Sequence, residues 1–325
     1  MAKILITGGG GFLGSRLAAR LAERDPGAKI TLLDIAFPRA GGHPRAGGHP
    51  RAGGDPIHIT GDVSSPDVIA KALAKDTTSV FHLASVVSGG AELDFDLGYR
   101  SNLDGMRALL EACRKLDAPP RFVFSSSVAA FGGKLPRVLD DSTTPAPQTS
   151  YGTQKVIGEY LVADYTRKGF IDGRSLRLPT IVVRPGKPNL AASSFASAII
   201  REPLTGVDVD CPVPETTGVW LLSPRRVVDA FIHAHDLPGS AWPTTRVVNL
   251  PGMTLTVREM LDAMGRVAGK ETLARVRFVD DERIQGIVKT WPVRFSTDRA
   301  NEMGFKADER FEDVVQDFID TYAKP

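Results

Sequence analysis

Along the first half of the chain, short apolar runs alternate with longer stretches in which apolar residues recur every three to four positions. The short runs predict buried strands and the longer period predicts amphipathic helices. Their regular alternation predicts βαβ units that build a parallel sheet, and hence an α/β fold. Strands are expected over 3–7, 29–34, 57–60, 78–83, 121–124 and 174–183, with a first helix over 12–24. Pro66 after Ser64-Ser65 marks a capped helix start, because the N–H that proline lacks has no partner in a first turn. Two long helices are predicted over 94–115 and 151–168, both with apolar residues at helical spacing. After Arg184-Pro185-Gly186 the alternation fades into shorter elements, with helices expected over 224–235, 257–267 and 311–322. A boundary near residue 184 divides the chain into 1–184 and 185–325, with some segments interleaved.

The segment 39–56 breaks this pattern, reading RAGGHP, RAGGHP, RAGGDP. A six-residue period rich in Gly and Pro cannot bury a face, so it reads as a loop after the second strand. His43 and His49 within it lack an ordered scaffold and are poor metal evidence. At 325 residues the chain has room for about two domains. Forty basic against 38 acidic residues leave a net charge of only +2, which argues against a nucleic-acid-coating surface. No apolar run approaches the roughly 18 residues of a membrane span. Met1-Ala2-Lys3 leads directly into Ile4-Leu5-Ile6, unlike a signal peptide. Cys113 and Cys211 are far apart, and His233 and His235 point to different helix faces, so neither a disulfide framework nor a metal site is supported. The expected compartment is a reducing cytoplasm.

Candidate chemistry begins at Thr7-Gly8-Gly9-Gly10-Gly11-Phe12-Leu13-Gly14, between the first strand and the first helix. Gly8, Gly11 and Gly14 take a GxxGxxG spacing that lets the backbone turn tightly and a pyrophosphate approach the helix start. Asp34 closes the second strand, 20 residues beyond Gly14. A carboxylate there accepts hydrogen bonds from the adenosine ribose and repels a 2′-phosphate, so NAD is favoured over NADP. Gly61-Asp62-Val63 could meet the adenine, although an Asx-turn explains Asp62 almost as well. Leu83, Ala84 and Ser85 follow His82 at the carboxyl edge of the sheet, where nucleotides bind in open α/β folds. His82 itself reads as structural.

Tyr151 and Lys155 stand four apart, on one face of a helix. A phenol with a nearby ammonium suits a general acid/base, and Phe124-Ser125-Ser126-Ser127 offers a hydroxyl at the same sheet edge. With the glycine turn, Asp34, Ser127 and Tyr151-x-x-x-Lys155 in order, the chain resembles the extended short-chain dehydrogenase/reductase family, in its nucleotide-sugar epimerase-like branch. The resemblance is strongest over residues 1 to about 185 and includes Asn102-Leu-Asp-Gly105 and Val182-Val183-Arg184-Pro185-Gly186. It implies a doubly wound Rossmann sheet, a smaller α/β C-terminal substrate lobe, bound NAD and a homodimer through the two long helices. It further implies that Tyr151 is the acid/base, that Lys155 binds the nicotinamide ribose and lowers the Tyr pKa, and that Ser127 bonds the reacting oxygen, with Ser126 as second choice. Asn102, Pro179 and Thr180 join the expected cofactor residues.

Ser127-Val128-Ala129 lacks the acid and base that a dehydratase needs. The texture of residues 177–186 and 222–228 is similar to a group within the family that oxidises a four-carbon sugar acid, D-erythronate, at carbon 2 with NAD. Such a substrate needs a cation for its carboxylate, and Arg184, Lys187 and Arg225 are candidates; Ser85 and Thr180 could line the site. Two other readings stay open: a nucleotide-sugar 4-epimerase, and an NAD(P)-binding sensor without turnover. The expected partner is a small-molecule sugar acid, with no nucleic acid, membrane or metal.

Overall fold

A computed structural model describes residues 1–37, 54–186 and 191–323. Residues 39–53 of the repeat and the candidate Lys187 lie outside the described residues. In chain order the first elements are β1 (Lys3–Thr7), α1 (Phe12–Arg24), β2 (Lys29–Asp34), β3 (Ile57–Thr60), α2 (Pro66–Ala72), β4 (Ser79–His82), α3 (Ser88–Leu93), α4 (Phe95–Tyr99), α5 (Gly105–Cys113), β5 (Arg121–Ser127) and α6 (Ser150–Arg167). There follow β6 (Asp172–Leu178), β7 (Thr180–Ile181), α7 (Ser194–Leu204), β8 (Val209–Cys211), β9 (Gly218–Leu222), α8 (Pro224–Asp236) and β10 (Val247–Asn249). The last are β11 (Met253–Thr256), α9 (Val257–Ala268), β12 (Val276–Phe278), α10 (Glu282–Val288), α11 (Asp298–Glu302) and α12 (Phe311–Phe318).

Two compact units share these elements. The first comprises residues 1–130, 149–177 and 228–248; the second comprises 131–148, 178–227 and 249–325. In the first, a seven-stranded sheet has the order β3-β2-β1-β4-β5-β6-β10, and the pairs β1–β2, β1–β4, β2–β3 and β4–β5 are parallel. The strand order reverses between β1 and β4, the switch point at whose carboxyl edge open α/β sheets hold ligands. Register aligns Thr7 with His82 and His82 with Phe124, which brings the ends of three strands to that edge. Leu5, Val80, Phe122, Leu109 and Leu110 form part of the core beneath.

The helix expected over 94–115 is realised as α4 and α5 joined by a wider turn at Arg100–Asp104, where the Gly105 N–H reaches back to the Arg100 carbonyl. The strand expected over 174–183 divides into β6 and β7 at Pro179, whose nitrogen has no proton for a ladder bond. Thr149 caps α6 by accepting from the Gly152 N–H at 3.0 Å. The second unit holds a three-stranded sheet, β11-β9-β7, and a parallel β8–β12 pair. Its core includes Ile199, Leu221, Met260, Val315 and Phe318. Among the described residues no helix is long and apolar enough to cross a membrane.

Candidate active site

The glycine turn joins β1 to α1 within a tight space. Gly8 has φ +72°, and a Cβ there would lie 2.7 Å from the Ala84 nitrogen, so only glycine lets the turn run against the segment after β4. A Cβ on Gly14 would lie 2.2 Å from the Gly8 carbonyl oxygen, so the first turn of α1 rests on the glycine turn itself. Gly11 offers no capping side chain, and no carboxylate stands in the first turn of α1. The leading N–H groups of the helix, including those of Phe12, Leu13 and Gly14, therefore suit an anion from outside the chain, which is the chemistry of a dinucleotide pyrophosphate.

Asp34, at the end of β2, sits on the rim of this turn: its Oδ2 accepts from the Gly10 N–H at 3.0 Å and its Oδ1 from the Ala36 N–H at 3.4 Å. The Oδ1 of Asp62 accepts from the Ser64 N–H at 2.8 Å, forming the Asx-turn, and its Oδ2 lies 4.0 Å from Arg100 Nε. Val63 packs into the core, so its backbone is the part that could meet a ligand. Thr7 Oγ1 lies 2.7 Å from His82 Nδ1 and accepts from the Ala84 N–H at 3.3 Å, which ties the two strands across the switch point. Burial, helped by the charge of Lys155, pushes the His82 imidazole down to about 3.

Asn102 is buried, and its carboxamide is fully engaged within the protein. Its Oδ1 accepts from Ser85 Oγ at 3.0 Å and the Val86 N–H at 2.7 Å; its Nδ2 donates to the Val86 carbonyl at 3.0 Å and Gln154 Oε1 at 2.7 Å. Through these bonds Asn102, expected among the cofactor residues, shapes the segment after β4. The Ser85 hydroxyl is held in the same network, its one proton shared between Asn102 Oδ1 at 3.0 Å and the Val86 carbonyl at 3.3 Å.

The residues singled out for acid/base work lie together in the first unit. Lys155, 3% exposed on α6, donates from Nζ to the Ser125 carbonyl at 2.8 Å. The same nitrogen stands 5.3 Å from the Tyr151 ring centre and 4.9 Å from that of Phe124. Burial pushes the Lys155 ammonium down to about 7, with the Glu159 carboxylate acting against it. Burial pushes the Tyr151 phenol up to about 12, and a side-chain hydrogen bond with Ser127 opposes that shift. Ser127 also accepts from the Ala129 N–H at 3.1 Å. Ser126, expected as an alternative substrate hydroxyl, is 1% exposed and donates to Glu159 Oε1 at 2.5 Å. Ser125 likewise turns inward, to the His82 carbonyl at 3.2 Å.

The candidates of the second unit are arranged differently. Pro179 separates β6 from β7, and Thr180 pairs with Leu221. Arg184 donates its N–H to Ser197 Oγ at 3.2 Å, and its carbonyl accepts from Arg201 Nη1 at 2.8 Å. Burial and the Arg201 charge hold its guanidinium below the usual arginine range. Arg225 is exposed in the first turn of α8. Sequence reasoning missed Gln154, Glu159 and Arg177, although Lys155-x-x-x-Glu159 has the same spacing as Tyr151-x-x-x-Lys155 and Arg177 is a charge inside a strand.

The fold and this edge define a nucleotide-binding α/β protein with a Ser/Tyr/Lys cluster, and the comparisons narrow the class. Residues 4–237 match the model of the NAD dependent epimerase/dehydratase family. The chain belongs to that family. It is 50% identical over 326 residues to a D-erythronate dehydrogenase from Cupriavidus necator, covering 98% of each chain. It is 44% identical over 320 residues to a D-erythronate dehydrogenase from Haemophilus influenzae, covering 98% of this chain and 99% of that one. Among solved structures, one described as the nucleoside-diphosphate-sugar epimerase from Agrobacterium tumefaciens superposes with a TM-score of 0.89 at 40% identity, covering 99% of this chain and 96% of that one.

Proposed function

We propose that the chain is an NAD-dependent dehydrogenase acting on a CH–OH group of a small sugar acid, converting D-erythronate to 2-dehydro-D-erythronate. The observation that carries the chemistry is the buried Lys155 beside Tyr151, with the Ser127 hydroxyl opposing the upward shift of the phenol. The substrate rests on the two near-full-length relatives named for D-erythronate. A nicotinamide supplies a hydride acceptor for the carbinol carbon when it is bound. In this reading Tyr151 takes the hydroxyl proton at its phenolate oxygen, and Ser127 steadies the carbinol oxygen by hydrogen bonding. A phenol raised by burial makes a poor base, so the positive charge of Lys155 and of the oxidised cofactor is what favours the phenolate.

The residues present suit a dinucleotide. The start of α1 would hold the pyrophosphate through Gly11, Phe12, Leu13 and Gly14. Asp34 would take the adenosine ribose, its charge selecting NAD over NADP. Asp62 and the Val63 backbone would stand at the adenine, with Leu83, Ala84, Pro179 and Thr180 along the cofactor, while residues 185–325 would form the substrate lobe. The substrate carboxylate calls for a cation, and Arg184 or Arg225 would provide it. A homodimer through α5 and α6 belongs to the same reading, supported by the exposed Tyr160 on α6 and Phe95 on the neighbouring α4. The two buried free thiols, Cys113 and Cys211, fit a reducing cytoplasm.

A second reading, exchange of configuration in a nucleotide sugar, is favoured by the name of the Agrobacterium tumefaciens structure. Absorbance of NADH during incubation with D-erythronate and NAD separates the two. Stoichiometric NADH is expected. Interconversion of nucleotide-sugar isomers without net NADH would replace the first reading with the second.

A further inference from the structure

The buried face of α6 carries a carboxylate that the proposed chemistry does not use. Glu159 lies one turn beyond Lys155 and is 4% exposed. Its Oε1 accepts from Ser126 Oγ at 2.5 Å and Arg177 Nε at 2.9 Å, and its Oε2 accepts from Arg177 Nη2 at 2.7 Å. One turn earlier, Lys155 reaches the carbonyl of Ser125. Consecutive residues of β5 thus receive consecutive charged residues of α6, and the next residue of the strand is Ser127. The carboxylate serves two cations, the Arg177 guanidinium by direct hydrogen bonds and the Lys155 ammonium through its field, in a region shielded from water.

We propose that Glu159 is a positioning residue for the acid/base pair: its carboxylate keeps Lys155 charged and, through Ser126, fixes the strand end that presents Ser127 to Tyr151. An ammonium removed from water loses its proton unless an anion compensates it. The groups around Lys155 leave that task to Glu159. On β4 stands His82, neutral; on β5 the Ser125 carbonyl and the Phe124 ring; on β6 Arg177, a cation already paired; on α6 itself Tyr151 and Glu159. Without the carboxylate, burial acts on Lys155 unopposed, its charged fraction at neutral pH falls further, and the phenolate of Tyr151 loses part of its neighbouring positive charge.

This inference rests on the reading of Tyr151 as the acid/base, and the test separates the two. Wild type, Glu159→Gln, Glu159→Gln/Arg177→Gln and Glu159→Asp are compared as NAD-bound enzymes. Two readouts are followed against pH: kcat/KM for D-erythronate oxidation, and the tyrosinate absorbance that is lost in Tyr151→Phe. Glutamine keeps an acceptor for Ser126 and loses the charge. Both midpoints should rise together by about one pH unit in Glu159→Gln, lowering kcat/KM about tenfold at a fixed pH below the midpoint and leaving it near wild type above. The double variant removes the stranded guanidinium along with the carboxylate, so its midpoints should rise less than those of Glu159→Gln, while its stability reports whether the single variant fails only by stranding Arg177. Glu159→Asp should hold the wild-type midpoints. Midpoints that stay in place in Glu159→Gln, with rate lost equally at every pH, would make Glu159 scaffold only and overturn the proposal. Retained turnover in Tyr151→Phe would instead overturn the reading beneath it.

Discussion

Helices α5 and α6 share one core, yet they are buried by different means. The hidden face of α5 is Met106, Leu109, Leu110 and Cys113 around Gly105. The hidden face of α6 is Gly152, Gln154, Lys155, Gly158, Glu159 and Val162. An apolar stripe gains free energy from any apolar surface it meets. A polar stripe must be met group by group: Gln154 Oε1 by Asn102, Lys155 by the Ser125 carbonyl, Glu159 by Ser126 and Arg177, while Gln154 Nε2 is buried without a hydrogen-bond partner among the described residues. Such pairing contributes little net stability, because desolvating the charges offsets most of their attraction. It contributes geometry and charge, and those are what the carboxyl edge of β5 needs.

The largest effects should split cleanly between the helices. Tyr151→Phe removes a hydroxyl from α6 and should lower kcat/KM by about 10²- to 10⁴-fold, the range of a lost general acid/base, with an unchanged Tm. Leu109→Ala empties a fully buried site on α5 and should lower stability by about 2–5 kcal/mol, with kcat unchanged wherever the protein stays folded. Urea titration and steady-state kinetics on both variants check the pair. A Leu109→Ala enzyme that loses kcat while folded would show that α5 also carries the site.

The same contrast explains what the amino-acid sequence reveals and what it conceals. Helical spacing of apolar residues suggests that both long helices are amphipathic; this holds for α5 and not for the buried face of α6, where a polar residue gives no sign of the partner that buries it. The alternation that yields the parallel sheet is legible because strands hidden on both faces must be continuously apolar. Gly8, Gly14 and Asp34 are legible because backbone approach and a strand-end carboxylate leave local marks. Asn102, Ser126 and Arg177 are not, since their partners lie 52, 33 and 18 residues away. Pro179 was visible, but the break it makes between β6 and β7 emerges only from the pairing of Thr180 with Leu221.

A smaller effect is expected where the two helices are joined. Asn102, in the turn that leads into α5, bonds Gln154 of α6 and both polar groups of Val86. Asn102→Leu strands Gln154 Oε1 and the Val86 N–H, which should cost about 1–3 kcal/mol of stability. Because the segment after β4 then loses its anchor, NADH should also bind several-fold more weakly, as read by fluorescence titration, while kcat changes little. Unaltered NADH affinity in a destabilised variant would remove this segment from the cofactor site.

An effect of comparable size separates the polar edge from the apolar core by pH alone. His82 is buried against Phe122 and Phe124 with Thr7 as its polar neighbour, and its imidazole is depressed from 6.5 to about 3. Above pH 6.5 the side chain is neutral in both folded and unfolded chains, and its full contribution to stability is present. As pH falls below 6.5 the unfolded chain takes up a proton that the folded chain refuses, so stability declines by up to about 1.4 kcal/mol per pH unit until the folded value is reached. His235, also depressed by burial, adds a decline of the same sign. Most carboxylates begin to titrate only below about pH 5, so the window from 6.5 to 5 belongs to the histidines. Lys155 does not contribute there, because with a folded value of about 7 it is protonated in both states at lower pH. His82→Asn, which keeps a polar atom near Thr7, should be less stable than wild type at pH 7.5 and yet show a shallower fall in urea midpoint between pH 6.5 and 5. A slope identical to wild type would mean that His82 already carries its proton in the folded chain, and that the switch point between β1 and β4 is held by a charged contact instead of a neutral one.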